Sequence, residues 1–79
     1  MSMTGTQIRA ARALLEMEQV TLAELSLVSV NTIRNMETKG GAVVRVRLDT
    51  LIKVRQALET AGIEFIDKNG GGAGVRLKV

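Results

Sequence analysis

The stretch from Gln19 to Glu37 constrains the fold more than any other part of this chain, because two short amphipathic segments meet in it across a turn. The first segment, residues 19–27, carries five apolar residues among polar ones: Val20, Leu22, Ala23, Leu25 and Leu27. The second follows Ser29, whose hydroxyl can accept a hydrogen bond from a free backbone N–H group at a helix start, and it carries Ile33 and Met36 on one helix face. Two helices joined by so short a turn predict a helix-turn-helix.

The second helix of this motif has two faces with different composition. Val28, Ile33 and Met36 point back toward the first helix, where the small Ala23 allows the two backbones to approach closely. The opposite face is free to meet a partner, and in a helix-turn-helix that face reaches base edges in the DNA major groove. The residues that we predict to contact bases are Val30, Asn31, Thr32, Arg34 and Asn35.

The side chains on that face suit base recognition. Asn31 can form two hydrogen bonds with adenine, and Arg34 can do the same with guanine or hold a phosphate. Val30 and Thr32 can touch a thymine methyl group. The alternative is an ordinary exposed helix face.

Basic residues follow the motif. The net charge is +3, and residues 34–55 hold six basic side chains against two acidic ones. In the extended run 42–47, Val44 and Val46 fall on one side and two arginines on the other, a pattern suited to phosphate contacts. A solvated basic face and a plain connecting loop are the alternatives. The predicted backbone contacts are Ser29, Lys39, Arg45 and Arg47.

The run LLEMEQVTLAELSLVSVNTIRNME resembles the Cro-repressor-like helix-turn-helix regulators, the XRE family, and the flanking segments extend the resemblance over nearly the whole chain. It implies a mainly α, lambda-repressor-like helix-turn-helix bundle of about four helices followed by a C-terminal β-hairpin. It also implies a phosphate or base contact for Gln19. The matching residues are Gln19, Leu22-Ala23, Val28-Ser29, Thr32-Ile33 and Glu37.

Two positions depart from the family pattern. Leu27 stands where the family has a turn glycine, so we expect a left-handed leucine that costs about 1 kcal/mol. Glu18 stands where a Ser or Thr usually caps the first motif helix, and Glu caps poorly. Its charge would also repel a nearby phosphate.

The helices on either side of the motif supply the rest of the predicted core. Helix one starts at a capping box, Thr4 with Gln7, and runs to about Met17. Arg9 and Arg12 fall off its apolar stripe, so we expect solvated arginines, with phosphate contact as the alternative. Helix four spans about residues 48–61 and stops at a glycine. The inward stripes are Ile8, Ala11, Leu14 and Leu15 in helix one, and Leu51, Val54, Leu58 and Ala61 in helix four.

After Gly62 the apolar period changes from 3.6 to 2, which predicts a β-hairpin over residues 63–79. We therefore divide the chain into a DNA-binding domain, 1–62, and a hairpin, 63–79. A lone hairpin has open edges and little stability, so it favours pairing with a second copy. The predicted dimer interface is Ile63, Phe65, Val75, Leu77 and Val79.

Composition excludes several classes of function. The 79 residues contain no Cys or His, so disulfides, the usual zinc sites and His or Cys catalysis are not possible. The carboxylates are scattered along the sequence and form no cluster that would indicate an enzyme. We expect no cofactor. The chain has no membrane-length apolar run and its N-terminus lacks a signal-peptide pattern, so we expect a cytoplasmic protein.

Two functions remain. The first is a sequence-specific DNA-binding transcriptional regulator that binds double-stranded DNA, at a two-fold operator, as a homodimer. The second is a dimerising protein-interaction or antitoxin-like module with the same fold and weakened DNA binding, which Leu27, Glu18 and exposed leucines such as Leu25 would favour.

Overall fold

The computed structural model describes residues 2–78, which form four helices followed by a two-stranded antiparallel sheet. The expected mainly helical architecture with a C-terminal hairpin is confirmed. None of the helices in this range is long and apolar enough to cross a membrane. The elements are α1 (Gly5–Leu14), α2 (Gln19–Ser26), α3 (Val30–Glu37), α4 (Leu48–Thr60), β1 (Ile63–Ile66) and β2 (Gly74–Leu77).

Helix α1 begins at the predicted capping box. The Gln7 N–H group donates to the Thr4 hydroxyl over 3.0 Å, and the Thr4 N–H group donates to Gln7 Oε1 over 2.9 Å. The helix ends at Leu14 rather than near Met17, because the backbone of Glu16 turns to a positive φ of 52°. Leu14, the last residue of the helix, is 43% exposed, so its predicted inward position is wrong.

Helix α4 follows the prediction closely. Leu51, Val54 and Leu58 are buried as expected. Ala61 is exposed, because the helix ends one residue earlier and Ala61 forms its C-cap. Gly62 then takes a φ of 113°, a conformation that L side chains rarely adopt, and the chain turns into β1.

The N-terminal segment closes one end of the molecule. Met3 is almost fully buried, and its carbonyl accepts a hydrogen bond of 2.8 Å from the N–H group of Val44 in the loop between α3 and α4. The Thr6 N–H group donates to the Gly40 carbonyl, also over 2.8 Å. The start of α1 and the loop after α3 are therefore joined at two points.

Helix α1 approaches the end of α3 more closely than a side chain would permit. A Cβ atom added to Gly5 would lie 2.4 Å from the Met36 carbonyl oxygen and 2.9 Å from that of Glu37. Both atoms belong to the backbone and have no freedom to move aside. This position therefore requires glycine.

The hairpin packs onto the helices instead of standing apart. Ile63 is fully buried and Phe65 is 9% exposed, and both belong to the same core as the helix side chains. The helical stripes leave apolar surface on α1 and α4 that the hairpin covers. The prediction that these two side chains contact a second copy is therefore wrong. Val75 is half-buried, Leu77 is 41% exposed, and Val79 lies outside the described residues.

Candidate nucleic-acid interface

The turn between α2 and α3 has the left-handed leucine that the sequence predicts. Leu27 has φ 58° and ψ 38°, and the N–H groups of Leu27 and Val28 both donate to the Ala23 carbonyl. These bonds satisfy carbonyls at the end of α2 in the way that a turn glycine usually does. The Leu27 side chain is 83% exposed, so core packing does not offset the backbone strain.

Packing fixes the rotation of α3 about its axis. Ile33 and Met36 are fully buried, Val28 is half-buried, and the small Ala23 is 8% exposed where α2 meets the core. The start of α3 is capped by Ser29, whose hydroxyl accepts a hydrogen bond from the Thr32 N–H group over 3.1 Å. The face of α3 that points away from the core is consequently held in one orientation.

That outward face carries three exposed polar side chains among the five predicted base contacts. Asn31, Arg34 and Asn35 are exposed, and Arg34 donates a hydrogen bond to Asn31 Oδ1 over 3.2 Å. Thr32 is half-buried. Val30 is half-buried and packs partly against the core, so only part of its side chain faces outward, and its contact with a base stays a prediction. The first turn of α3 must use this apolar side chain to seal the core.

A basic cleft lies along one side of α3, which we name the loop-side cleft. It has a volume of about 340 Å³ and is lined on the loop side by Arg45 and at the end of α3 by Lys39. Val44 is buried and anchors the loop, so Arg45 extends outward as predicted. The lining residues are Thr32, Asn35, Met36, Thr38, Lys39, Val44, Arg45 and Val46.

The rest of the loop departs from the expected alternation. Val46 is 38% exposed, so it does not share the buried position of Val44. Arg47 has an 84% exposed side chain and lies 3.2 Å from the carboxylate of Asp49 at the start of α4. Part of the Arg47 charge is therefore balanced within the chain, whereas the Arg45 side chain makes no ion pair within residues 2–78.

A second basic cleft lies between α1 and α3, and we name it the α1-side cleft. It is an open concavity of about 680 Å³ in which three arginines from two helices converge. Arg9 is exposed and donates to the Glu37 carbonyl over 3.3 Å. The lining residues are Arg9, Arg12, Gln19, Arg34, Glu37 and Thr38.

A buried carboxylate organises this cleft. Glu37 accepts hydrogen bonds of 2.6 and 2.8 Å from Arg12 and one of 3.1 Å from Gln19 Nε2. The paired hydrogen bonds from Arg12 raise the pKa of its guanidinium, despite the opposing effect of burial. Arg12 also donates to the Met17 carbonyl, so the expectation of a solvated arginine is wrong. Gln19 lines the cleft as the resemblance implies, with its amide already oriented by Glu37.

One feature of the sequence could have indicated this network. Glu37 lies on the same helix face as the apolar Ile33 and Met36, and a carboxylate in such a position needs a cation when it is buried. The residue that supplies it, Arg12, is distant in sequence. Only the packing of α1 on α3 brings the two together.

No protein-family model matches this chain, and no curated protein matches it either. The resemblance to the XRE family therefore stays a prediction. The structure itself gives an exposed polar face on α3 with a basic cleft on each side.

Proposed function

We propose that this protein is a sequence-specific DNA-binding transcriptional regulator with a lambda-repressor-like fold, and that α3 is its recognition helix. The observation that carries the proposal is the position of α3 between two basic clefts. The DNA major groove admits a helix and is bordered by a phosphate strand on each side. A polar helix face with cations on both flanks is complementary to that surface.

The proposed roles follow from exposure. Asn31, Arg34 and Asn35 face base edges, where bidentate pairing of Asn with adenine and of Arg with guanine gives discrimination. Lys39 and Arg45 in the loop-side cleft contact one phosphate strand. Phosphate contacts position the protein and supply most of the affinity that does not depend on sequence.

The α1-side cleft contacts the other strand through Arg9 and Gln19. Arg12 contributes differently, because both of its hydrogen-bonding edges are occupied by Glu37 and Met17. It joins α1 to α3 through Glu37, and the same carboxylate holds the Gln19 amide of α2 in place. Its positive charge, shared with a carboxylate, adds little to phosphate attraction.

We also propose that the protein binds a two-fold operator as a homodimer. A helix-turn-helix monomer reads only a half-site, and two recognition helices set about 34–36 Å apart read successive major grooves. Each copy supplies one α3. The dimer multiplies the modest specificity of a single short helix.

The test is a selection of bound duplexes from a random pool, followed by affinity measurements on the selected sequence and a scrambled one. The proposal expects a two-fold symmetric consensus and a preference of roughly a thousandfold or more for it. Equal affinity for both duplexes, with full loss on adding a polyanion, would contradict sequence-specific regulation.

A second candidate is a dimerising protein-interaction or antitoxin-like module with weakened DNA binding. The favouring observation is the end of α2, where Leu25 is 55% and Leu27 83% exposed beside the acidic Glu24. An exposed leucine on α2 and a second one on the strained turn are costly in an isolated protein, and a protein partner that covers them would offset that cost. A failed selection together with a partner that protects Leu27 from solvent would support this candidate.

A further inference from the structure

A cavity lies where the loop of the hairpin meets the start of α1, and we name it the hairpin cavity. It has two adjoining halves of about 650 and 350 Å³, which share Thr4, Gln7 and Gly41 among their lining residues. Clefts of this size hold small molecules in proteins. None of the described residues that line the cavity belongs to α3, so it is separate from the candidate nucleic-acid interface.

The two halves of the hairpin cavity differ in chemistry. The lining of the larger half includes three charged side chains from α4 and the hairpin loop, Arg55, Glu59 and Asp67. The lining of the smaller half includes Ala10 and Val75, which are both half-buried. A charged half next to an apolar half is complementary to a small molecule with a charged head and an apolar tail.

Gln7 lines both halves and has a hydrogen-bond donor to spare. It is only 6% exposed, its Oε1 accepts from the Thr4 N–H group, and its Nε2 donates to the Gly74 carbonyl over 3.1 Å. A carboxamide nitrogen carries two hydrogens, and the second has no partner within residues 2–78. Because buried donors are normally hydrogen-bonded, this one favours a ligand with an oxygen acceptor.

Arg55 supplies a cation in the larger half, and its position is fixed. Its guanidinium carbon lies 4.8 Å from the centroid of the Phe65 ring, and its Nε donates to Glu59 over 3.2 Å. In the described part of the chain, its two terminal nitrogens make no hydrogen bond. A guanidinium pairs well with a carboxylate, which can accept two parallel hydrogen bonds. Arg55 and Gln7 together therefore suit a carboxylate.

Asp67 supplies an anion that is not neutralised. Glu59 is already paired with Arg55, whereas Asp67 is exposed and makes no ion pair within residues 2–78, not even with the neighbouring Lys68. A free carboxylate attracts a cationic group. The larger half therefore matches a head that carries an ammonium group as well as a carboxylate.

We propose that the hairpin cavity binds a free α-amino acid with an apolar side chain. The carboxylate lies on Arg55 and the spare N–H of Gln7, the ammonium lies on Asp67, and the apolar side chain packs against Ala10 and Val75. A simple carboxylic acid would leave Asp67 without a cation, and a simple amine would leave Arg55 and Gln7 without an acceptor. Since the cavity is separate from α3, this inference does not depend on the proposed function.

The test is an NMR titration of the isotope-labelled full chain with leucine and with three probes that each lack one part of it. Isocaproate lacks the ammonium, isopentylamine lacks the carboxylate, and glycine lacks the apolar side chain. The shifts of the backbone amides locate the bound molecule and give its dissociation constant. We expect leucine to shift the amides of Gly41, Lys68 and Ala73, which line both halves, and to bind about tenfold or more tightly than each probe.

A variant at the ammonium position tests the orientation of the ligand. Asp67→Asn removes the charge that holds the ammonium, so leucine should bind about tenfold more weakly while the affinity for isocaproate stays the same. The matched control is Asp49→Asn, which makes the same change at an exposed aspartate outside the cavity and should alter neither affinity. The amide spectrum of each variant also verifies its fold.

Three results would overturn the proposal. They are the absence of amide shifts at saturating leucine, shifts confined to residues outside the cavity, and equal affinities for leucine and isocaproate. An unchanged leucine affinity in folded Asp67→Asn would do the same. No DNA is present in these measurements, so each result stands whether or not α3 recognises DNA.

Discussion

An arginine lies at each of two faces of α3, and the two arginines differ in what they bind. Toward α1, Glu37 is 5% exposed and is bound by Arg12, whose side chain is 17% exposed. Away from the core, Arg34 is exposed and bonds only to a neighbouring asparagine on its own helix. One arginine therefore holds helices together and the other is available to a partner. Residue type alone does not distinguish the two roles, whereas burial and hydrogen bonding do.

The largest expected effect is on the packed face, from Gly5→Ala. The new Cβ would lie 2.4 Å from a backbone oxygen of α3, so α1 and α3 must separate. We expect a loss of about 3 kcal/mol in the free energy of unfolding, measured by urea denaturation. The control is Gly41→Ala, where nothing lies within 4 Å and φ is not positive. A loss for Gly5→Ala as small as that of the control would contradict the close helix contact.

The second prediction breaks the buried ion pair through Glu37→Gln. Arg12 would keep its charge without a carboxylate partner, and we expect a loss of about 2–3 kcal/mol, because Arg12 retains some contact with water. Glu59→Gln is the control, since it removes one member of the more exposed Arg55–Glu59 pair and should cost under about 0.5 kcal/mol. Similar losses in both variants, measured by thermal unfolding, would show that burial does not matter here.

The third prediction concerns the outward face, where Asn31→Ala should leave stability unchanged and alter DNA binding. We expect a cost of about 1–3 kcal/mol on the selected operator and a relaxed preference at one base pair. Fluorescence anisotropy on operators varied at each position measures both. Equal weakening on every sequence would reassign Asn31 to a backbone contact.

The fourth prediction addresses the loop-side cleft. If Arg45 and Lys39 hold phosphates, replacing either with Ala should flatten the slope of log affinity against log salt by about one unit. Arg47→Ala should change the slope less, because Asp49 balances part of its charge. Lys68→Ala, a lysine outside both clefts, is the control. Equal slopes for Lys39→Ala, Arg45→Ala and Lys68→Ala would mean that Lys39 and Arg45 do not contact DNA phosphates.

The smallest effect is expected at the turn, from Leu27→Gly. Glycine relieves the left-handed strain, worth about 1 kcal/mol, but it also frees the unfolded chain by about 0.5–1 kcal/mol. The net change in the free energy of unfolding should therefore lie near zero or be slightly stabilising. Because Leu27 is 83% exposed, a loss above about 2 kcal/mol would be inconsistent with this geometry.

Local sequence patterns predicted what depends on neighbours in the chain. The capping box at Thr4, the left-handed Leu27 and the Ser29 cap are each decided by residues within one helical turn, and all three are present. The burial of Ile33 and Met36 followed from their spacing. These features need no knowledge of the tertiary fold.

Features that depend on distant partners were not predicted. The sequence shows Ile63 and Phe65 as one side of a strand, but whether helices or a second copy cover that side is decided by tertiary packing. Arg12 resembles any surface arginine until α1 is placed against Glu37. The sequence also predicts that α1 runs to about Met17, beyond its actual end at Leu14. Nothing in the sequence around Glu16 indicates a positive φ.

The two backbone bonds at the start of the chain affect how folding proceeds. The N–H group of Thr6 and the carbonyl of Met3 find their partners, Gly40 and Val44, only after the whole helix-turn-helix has been synthesised. Closing such a long loop costs chain entropy before these contacts repay it. During translation, α1 is therefore synthesised before Gly40 and Val44, the residues that these bonds require. Because the Val44 N–H group bonds to the Met3 carbonyl, the position of the neighbouring Arg45 depends on the N-terminal segment being in place.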